Sequence, residues 1–177
     1  MNIFYLHNDQ RTCAQEHVDK HCVKMILEYA QLLSTAHRVL DGNEFTGLSK
    51  TGRKQTRYVL SDDRESILYT ATHINHPSAI WARQSLVNYH WLFNMFIELM
   101  REYHYRYGKI HSCMRLVTHL RFPPTKIPLG EFTEPTPAMP EQYRVAGDSI
   151  QSYKNYYLGD KSHMFKWKNR PTPSWIS

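Results

Sequence analysis

One stretch constrains this chain more than any other: Asp19 to Arg38, DKHCVKMILEYAQLLSTAHR. It reads as a helix with an unusual cross-section. At about 100° per residue, His21, Lys24, Glu28, Gln31 and Thr35 fall on one narrow stripe. Almost every other position is apolar, including Cys22, Met25, Ile26, Leu33 and Ala36. A surface helix has a broad polar face and a narrower apolar one. Here the proportions are inverted, so the helix is expected to be packed on most sides, with its polar stripe lining a cleft. Buried His, Lys and Glu are costly unless paired or used.

The rest of the chain reads as cover for that helix. Asn2 to Leu6 is a short β-prone run, expected as a strand or an extended arm on the core. Asn8 or Asp9 caps a short helix to about His17. Were it to fuse with the next helix, His17 would join the stripe at i−4 from His21. The central helix stops near Leu40, with Asp41-Gly42-Asn43 as the signal. Residues 44–58 are polar, carry two Gly, and cluster Lys50, Arg53, Lys54 and Arg57. They are expected as a mobile basic loop, either simply solvated or in contact with phosphates. Ser61-Asp62-Asp63 offers a cap for a helix over Arg64 to Ala71.

Asn75-His76-Pro77-Ser78 opens the longest helical pattern, Ala79 to about Tyr107, with a kink expected between Ser85 and Tyr89 and Gly108 as its stop. A further helical stretch covers His111 to Leu120. Residues 122–140 hold six of the nine prolines and read as an extended segment laid over the core. Asp148 caps a last helix, Ser149 to Leu158. The tail, 161–177, is basic and aromatic. The fold class expected is mostly α: a compact single-domain helical bundle over residues 1–177, with a short N-terminal extended segment and the Pro-rich segment before the last helix.

With 177 residues the chain is long enough for one sizeable core. A net charge of +6 favours a polyanionic partner, nucleic acid first. The three cysteines, Cys13, Cys22 and Cys113, form no CxxC pair, which argues against a zinc ribbon or disulfide framework and for a reduced, cytoplasmic setting. No signal peptide is evident at MNIFYLHND, and no apolar run is long enough for a membrane.

Four groups of residues carry chemistry in this reading. His21, Lys24 and Glu28 form either a structural ion pair on a buried face or a carboxylate placed for general-base or cation-stabilising work, with His and Lys orienting substrate. Asn75 or His76 caps a helix whose N-terminus, with Arg83 nearby, suits an anion or plain capping. Tyr103, Tyr105, Arg106, Tyr107 and Lys109 suit base stacking and phosphates, or a snorkelling surface. Lys166, Trp167, Lys168 and Arg170 interleave charge and aromatics, suiting nucleic acid or an arm sealed to the core. His17 and His21 have a two-histidine zinc spacing, but no Glu follows the first His and no third ligand is near, so no metal is assigned. The sequence has no Walker loop, no GxGxxG and no GxSxG, and no cofactor is expected.

AxxHVDKHCVKMILEYAQLLSTAHR, NHPSAIWARQS, YRYGKxH and KWxxRPTPSW together resemble a group of small proteins common in tailed-phage genomes, mostly without assigned function. That likeness spans nearly the whole chain and implies a phage setting, hence host cytoplasm. A second resemblance, over about a third of the chain, is to the pyrimidine-dimer DNA glycosylases of the phage endonuclease V type. Those are small, basic, mostly helical enzymes with an Asp-x-His on the first helix and a catalytic Glu seven residues on. Asp19, His21 and Glu28 reproduce that spacing, and Arg170 to Thr172 with Trp167 resemble the family's C-terminus. Members attack the sugar C1′ with the α-amine of a Thr exposed by Met removal. Here residue 2 is Asn, large enough for Met1 to be retained. The nucleophile implied is then the Met1 amine, Lys20 or Lys24, or else water acts directly. A free α-amine is a workable nucleophile near neutral pH, whereas a lysine must have its pKa lowered.

The expectation is a phage-type enzyme acting on duplex DNA, most concretely a DNA N-glycosylase, with or without lyase activity, that removes a damaged or modified base. Catalysis is assigned to Glu28, His21, Lys24, Asp19 and Met1. DNA contacts are assigned to Lys50, Arg53, Lys54, Arg57, His76, Arg83, Arg106, Lys109, Lys166, Trp167, Lys168 and Arg170. The alternatives are a base- or nucleotide-modifying enzyme acting on small molecules, and a non-catalytic phage protein that binds nucleic acid or a host protein.

Overall fold

The computed structural model describes residues 1–49 and 51–176, and its architecture follows from two helices and the places where they break. Helix α1 (Gln10–Glu16) starts at Asp9, whose carboxylate accepts from the Thr12 N–H at 2.8 Å. Helix α2 (Asp19–Asp41) follows after a sharp break at His17–Val18, where both residues leave helical geometry. The two helices therefore do not fuse, and His17 lies off the polar stripe.

The elbow is held by Arg106. Its guanidinium donates to the carbonyls of Gln15 and His17, to Asp19 and to Glu102, all within 2.9 Å. These partners satisfy the carbonyls that the break orphans. Glu102 also accepts from Arg170, and Asp19 also accepts from the Lys168 N–H. One buried ion cluster thus joins the α1–α2 elbow, helix α5 (Leu86–Tyr107) and the C-terminal tail.

The expected kink is a complete break. Ser85 separates α4 (Pro77–Gln84) from α5, and its hydroxyl caps α5 by accepting from the Asn88 N–H. Asn88 then donates to the Trp81 carbonyl and the Thr133 hydroxyl, and accepts from the Thr133 N–H. The Pro-rich segment is extended, as expected, and is seated on this break. The Leu86 N–H donates to the Pro128 carbonyl and the Trp81 indole N–H to that of Thr133. Helix α5 stops at Gly108, whose left-handed backbone (φ 64°) returns an N–H to the His104 carbonyl.

Residues 44–58 differ from the expected loop. Strands β1 (Asn43–Leu48) and β2 (Lys54–Val59) pair antiparallel, Asn43 opposite Val59 through Leu48 opposite Lys54. No alternation of apolar residues announces these strands. Their base is fixed from outside instead: Arg38, on α2, donates to the Tyr58 carbonyl at 3.0 Å. Gly42 makes the joint, since a Cβ there would meet the Arg38 carbonyl oxygen at 2.4 Å. Lys50 lies outside the described residues.

The short helices α3 (Arg64–Ile67), α6 (Val117–Leu120) and α7 (Ser149–Tyr156) complete the fold, with 3₁₀ turns at Ser112–Leu116, Glu141–Tyr143 and Ser162–Met164 and a π turn at Tyr157–Lys161. The chain is mostly α, with one two-stranded sheet among the described residues. Its buried apolar side chains form a single cluster centred on α2 and α5. Among the described residues no helix is long and apolar enough to cross a membrane.

Helix α2 is less enclosed than its sequence suggests. His21 and Thr35 on the stripe are buried, but Val23, Lys24 and Leu27 face solvent. The open part of the helix is centred between Lys24 and Leu27, and the C-terminal half of the stripe is covered by residues 69–72, through Thr35 to Thr72 and Arg38 to Tyr69.

Because Arg106 is fully buried and its partner Glu102 is 4 % exposed, Arg106→Met is expected to leave uncompensated charge and cost about 3–5 kcal/mol. Lys109→Gln, at an exposed position just beyond α5, is expected to stay within about 0.5 kcal/mol of the parent. Urea unfolding of both variants checks this.

Candidate active site

The N-terminal arm builds the site. Ile3, Phe4, Tyr5 and Leu6 are buried, and no strand pairs with them. Tyr29 on α2 accepts from the Phe4 N–H at 3.2 Å. Cys13 on α1 donates its S–H to the Phe4 carbonyl and accepts from the Leu6 N–H. The Phe4 ring stacks on His21, with centroids 4.1 Å apart. With the arm pinned at these points, Met1 is delivered to the open stretch of α2, and its carbonyl accepts from the Ser78 hydroxyl on α4.

There the Met1 amino nitrogen lies 3.9 Å from Glu28 Oε2, while Lys24 Nζ lies 3.1 Å from Oε1. The Glu28 side chain is only 14 % exposed and that of Lys24 is 70 % exposed. A cavity of about 170 Å³ opens on this pair, bounded by Met1, Asn2, Phe4, His21, Tyr156 and Lys161. His21 lines it, and His76 stands near its Met1–Glu28 end. Burial, with help from His17, Lys161 and Lys24, pushes His21 down to about 3, so it is a neutral ring near pH 7, hydrogen-bonded through Nδ1 to the Tyr157 hydroxyl at 2.7 Å. Burial, the Met1 amine and His73 also lower His76, against an upward pull from Glu28. His76 Nδ1 accepts from the Ser78 N–H as the cap of α4. In that tautomer Nε2 carries the proton of the neutral ring. His73, whose carbonyl accepts from the His76 N–H, holds a left-handed backbone with φ 47°, an uncommon conformation outside glycine.

Of the residues expected to be catalytic, Met1, His21, Lys24 and Glu28 meet at this cavity. Asp19 does not. On a helix, residues two apart point about 200° away from each other, so Asp19 leaves on the far side from His21. Its carboxylate serves Arg106 and the Lys168 N–H. His17 is buried elsewhere, both ring nitrogens engaged, by the Cys13 carbonyl and the Tyr29 hydroxyl. Among the described residues no three His, Cys, Asp or Glu side chains are grouped to hold a metal.

The expected DNA contacts divide. Arg106 is withdrawn from solvent by its ion cluster and is a structural residue. Arg170 is bound to Glu102 and lies 3.9 Å over the Tyr105 ring, and Trp167 donates to the Glu16 carbonyl, so both seal the tail to the core. Arg83 is half-buried, with Nη1 enclosed and unpartnered among the described residues, and burial lowers its pKa. Lys109, Lys166 and Lys168 are exposed, as are Arg53, Lys54 and Arg57. His76 lies near the Met1 amine and Glu28 but does not line the cavity. The residues that sequence reasoning missed are Phe4, Tyr156 and Lys161. They come from opposite ends of the chain, and no local pattern links them.

A larger cavity, about 380 Å³, lies between α1 and α5, with Arg11, Arg101 and Arg170 on its walls. Arg101 pairs with Glu98 and Arg170 with Glu102, so its charge is largely neutralised from within. Comparison with protein-family models, curated proteins and solved structures finds no match to this chain.

Burial holds His17 at about 4, His21 at about 3 and His37 at about 4, against 6.5 for a free imidazole. Below pH 6.5 the unfolded chain takes up protons that the folded chain refuses. Stability is therefore expected to be level between pH 6.5 and 8 and to fall as pH drops from 6.5 toward 3. Asp41 extends the loss. Burial works to raise its carboxyl, but Arg64 and the Thr125 and Lys126 N–H groups outweigh it and bring it to about 2 from 3.8. Its contribution, present above 3.8, disappears as pH falls further toward 2. Thermal melts from pH 8 to pH 3 read both windows.

Proposed function

We propose that the chain is a DNA N-glycosylase that removes a damaged or modified base, using the cavity at Met1 and Glu28. The observation that carries this reading is the N-terminal amine held 3.9 Å from a shielded carboxylate. An amine beside a carboxylate can attack an electrophilic carbon while the carboxylate takes its proton or stabilises developing positive charge.

In this reading the Met1 nitrogen bonds to the sugar C1′ as the C1′–N bond to the base breaks. The base leaves with that electron pair and takes a proton from solvent. Glu28 receives the proton that the amine gives up and later returns it as the sugar ring opens to an imine. This chemistry requires Met1 to carry a free amino group, which the intact mass of the purified protein and its N-terminal sequence check. Lys24 and Lys161 offer cations to the flanking phosphates, and neutral His21 offers a hydrogen bond rather than a charge. Because the cavity holds about 170 Å³, it takes one sugar or base and not a stretch of strand. The target nucleotide must therefore leave the stack. The same small volume suits a free nucleoside or nucleotide. A small-molecule enzyme would act on these without duplex and with little dependence on salt.

Glu28→Gln preserves shape and removes the base. It is expected to slow base release from a responsive damaged or modified duplex by about 10²–10⁴-fold while leaving duplex binding in place. Base release measured by chromatography across a panel of damaged and modified duplexes tests this. An unreactive parent across the panel, or a Glu28→Gln variant at full rate, overturns the reading.

A further inference from the structure

The β1–β2 ribbon has no role in the cavity and is built unlike the rest of the molecule. Every residue of both strands is exposed except Gly47 and Tyr58, which are half-buried. Six residue pairs make an arm about 17 Å long, joined to the body at one end. Two-stranded hairpins are marginal on their own. This one is stabilised at its root, where Arg38 grips the Tyr58 carbonyl and Glu65 accepts from both Arg38 and the Leu60 N–H. The distal half is exposed, with Gln55 and Thr56 bordering a cleft of about 250 Å³ between the ribbon and Thr70–Ala71 of the body. The span Asn43 to Val59 carries four basic residues against one acidic residue, Glu44. Among the described residues, no carboxylate pairs with Arg53, Lys54 or Arg57. Ser, Thr and Gln occupy five of the remaining twelve positions, and Leu48 is 65 % exposed.

We propose that this ribbon is a nucleic-acid-binding arm that seats in a groove of duplex DNA. The proposal rests on the polyanion reading of the active site, and it adds the surface that recognises double-stranded substrate. The dimensions fit: the major groove of B-form DNA is about 12 Å wide and admits a two-stranded ribbon. The side chains fit as well. Arg53 and Lys54 lead the distal half toward phosphates. Gln55 and Arg57 alternate onto one face of the ribbon and are the residue types that read base edges. A single strand offers no groove for a two-sided ribbon, so the preference is for duplex. Basic residues also guard the open strand edges against pairing with another chain, which disfavours a protein strand as the occupant. The root on α2 matters because that helix also carries Glu28, so the arm and the cavity share one rigid element.

The test uses the full chain carrying Glu28→Gln, so that binding is read without turnover, and an undamaged fluorescent duplex of about 20 base pairs, with a single strand of equal length alongside. Anisotropy titrations at several salt concentrations give affinity and salt slope. Combined Arg53→Gln, Lys54→Gln and Arg57→Gln substitutions are expected to weaken duplex binding about tenfold or more and to flatten the slope of log K against log salt by about 2–3. Melting should be unchanged, because all three positions are exposed. Arg57→Glu alone should move affinity in the same direction. Unchanged duplex affinity and slope in these variants, or tighter binding of single strand than duplex by the parent, overturns the proposal. Ribbon-dependent duplex binding together with no base release from any substrate supports the arm and removes only the glycosylase reading.

Discussion

Arg106 is the interaction on which the other elements depend. It arises near the end of α5, yet its partners sit 87 to 91 residues away at the α1–α2 elbow. A guanidinium has five donors in a fixed fork, and here they meet two carbonyls, Asp19 and Glu102. Without such a partner, the chain break at His17–Val18 would leave carbonyls unpaired inside the protein, each at a cost of about 1–3 kcal/mol. With it, α1 folds back across α5 and α2 starts on a new axis. The tail closes the same cluster through Arg170 and the Lys168 N–H. Residues expected to grip DNA are thereby spent on holding the fold.

That elbow also decides where the site lies. Since α1 turns back, Cys13 comes beneath the N-terminal arm and fixes Phe4, while Tyr29 on α2 fixes it from the other side. The arm has only one direction left, along α2 toward Glu28. The chemistry proposed for the cavity therefore depends on an extended segment with no secondary structure, positioned by a thiol, a phenol and an imidazole stack.

Much of this was legible in the sequence where a signal is local. The two long helices, the interruption at Ser85, the extended Pro-rich segment and the Asp148 cap all follow from periodicity, proline placement and capping residues. His21, Lys24 and Glu28 share a face because four and seven residues return to the same side of a helix. Asp19 broke the pattern for the same reason, since a spacing of two does not. The ribbon was missed because its strands are polar on both faces and are fixed by Arg38 and Gly42 rather than by their own side chains. Arg106 was misread because a basic residue among tyrosines looks like surface until its distant carbonyl partners are known. Phe4, Tyr156 and Lys161 meet only through the tertiary fold, and the left-handed His73 has no sequence signature.

In the proposed reaction an N-terminal amine and Glu28 work as a pair on a sugar carbon. Borohydride reduction of a reacting mixture of enzyme and damaged duplex tests it most directly, because reduction converts an imine into a stable covalent bond that peptide mapping can locate. A trapped DNA adduct on the α-amine of Met1 is expected, lost when two residues are added ahead of Met1. An adduct on Lys20 or Lys24, or base release with no adduct at all, would contradict it.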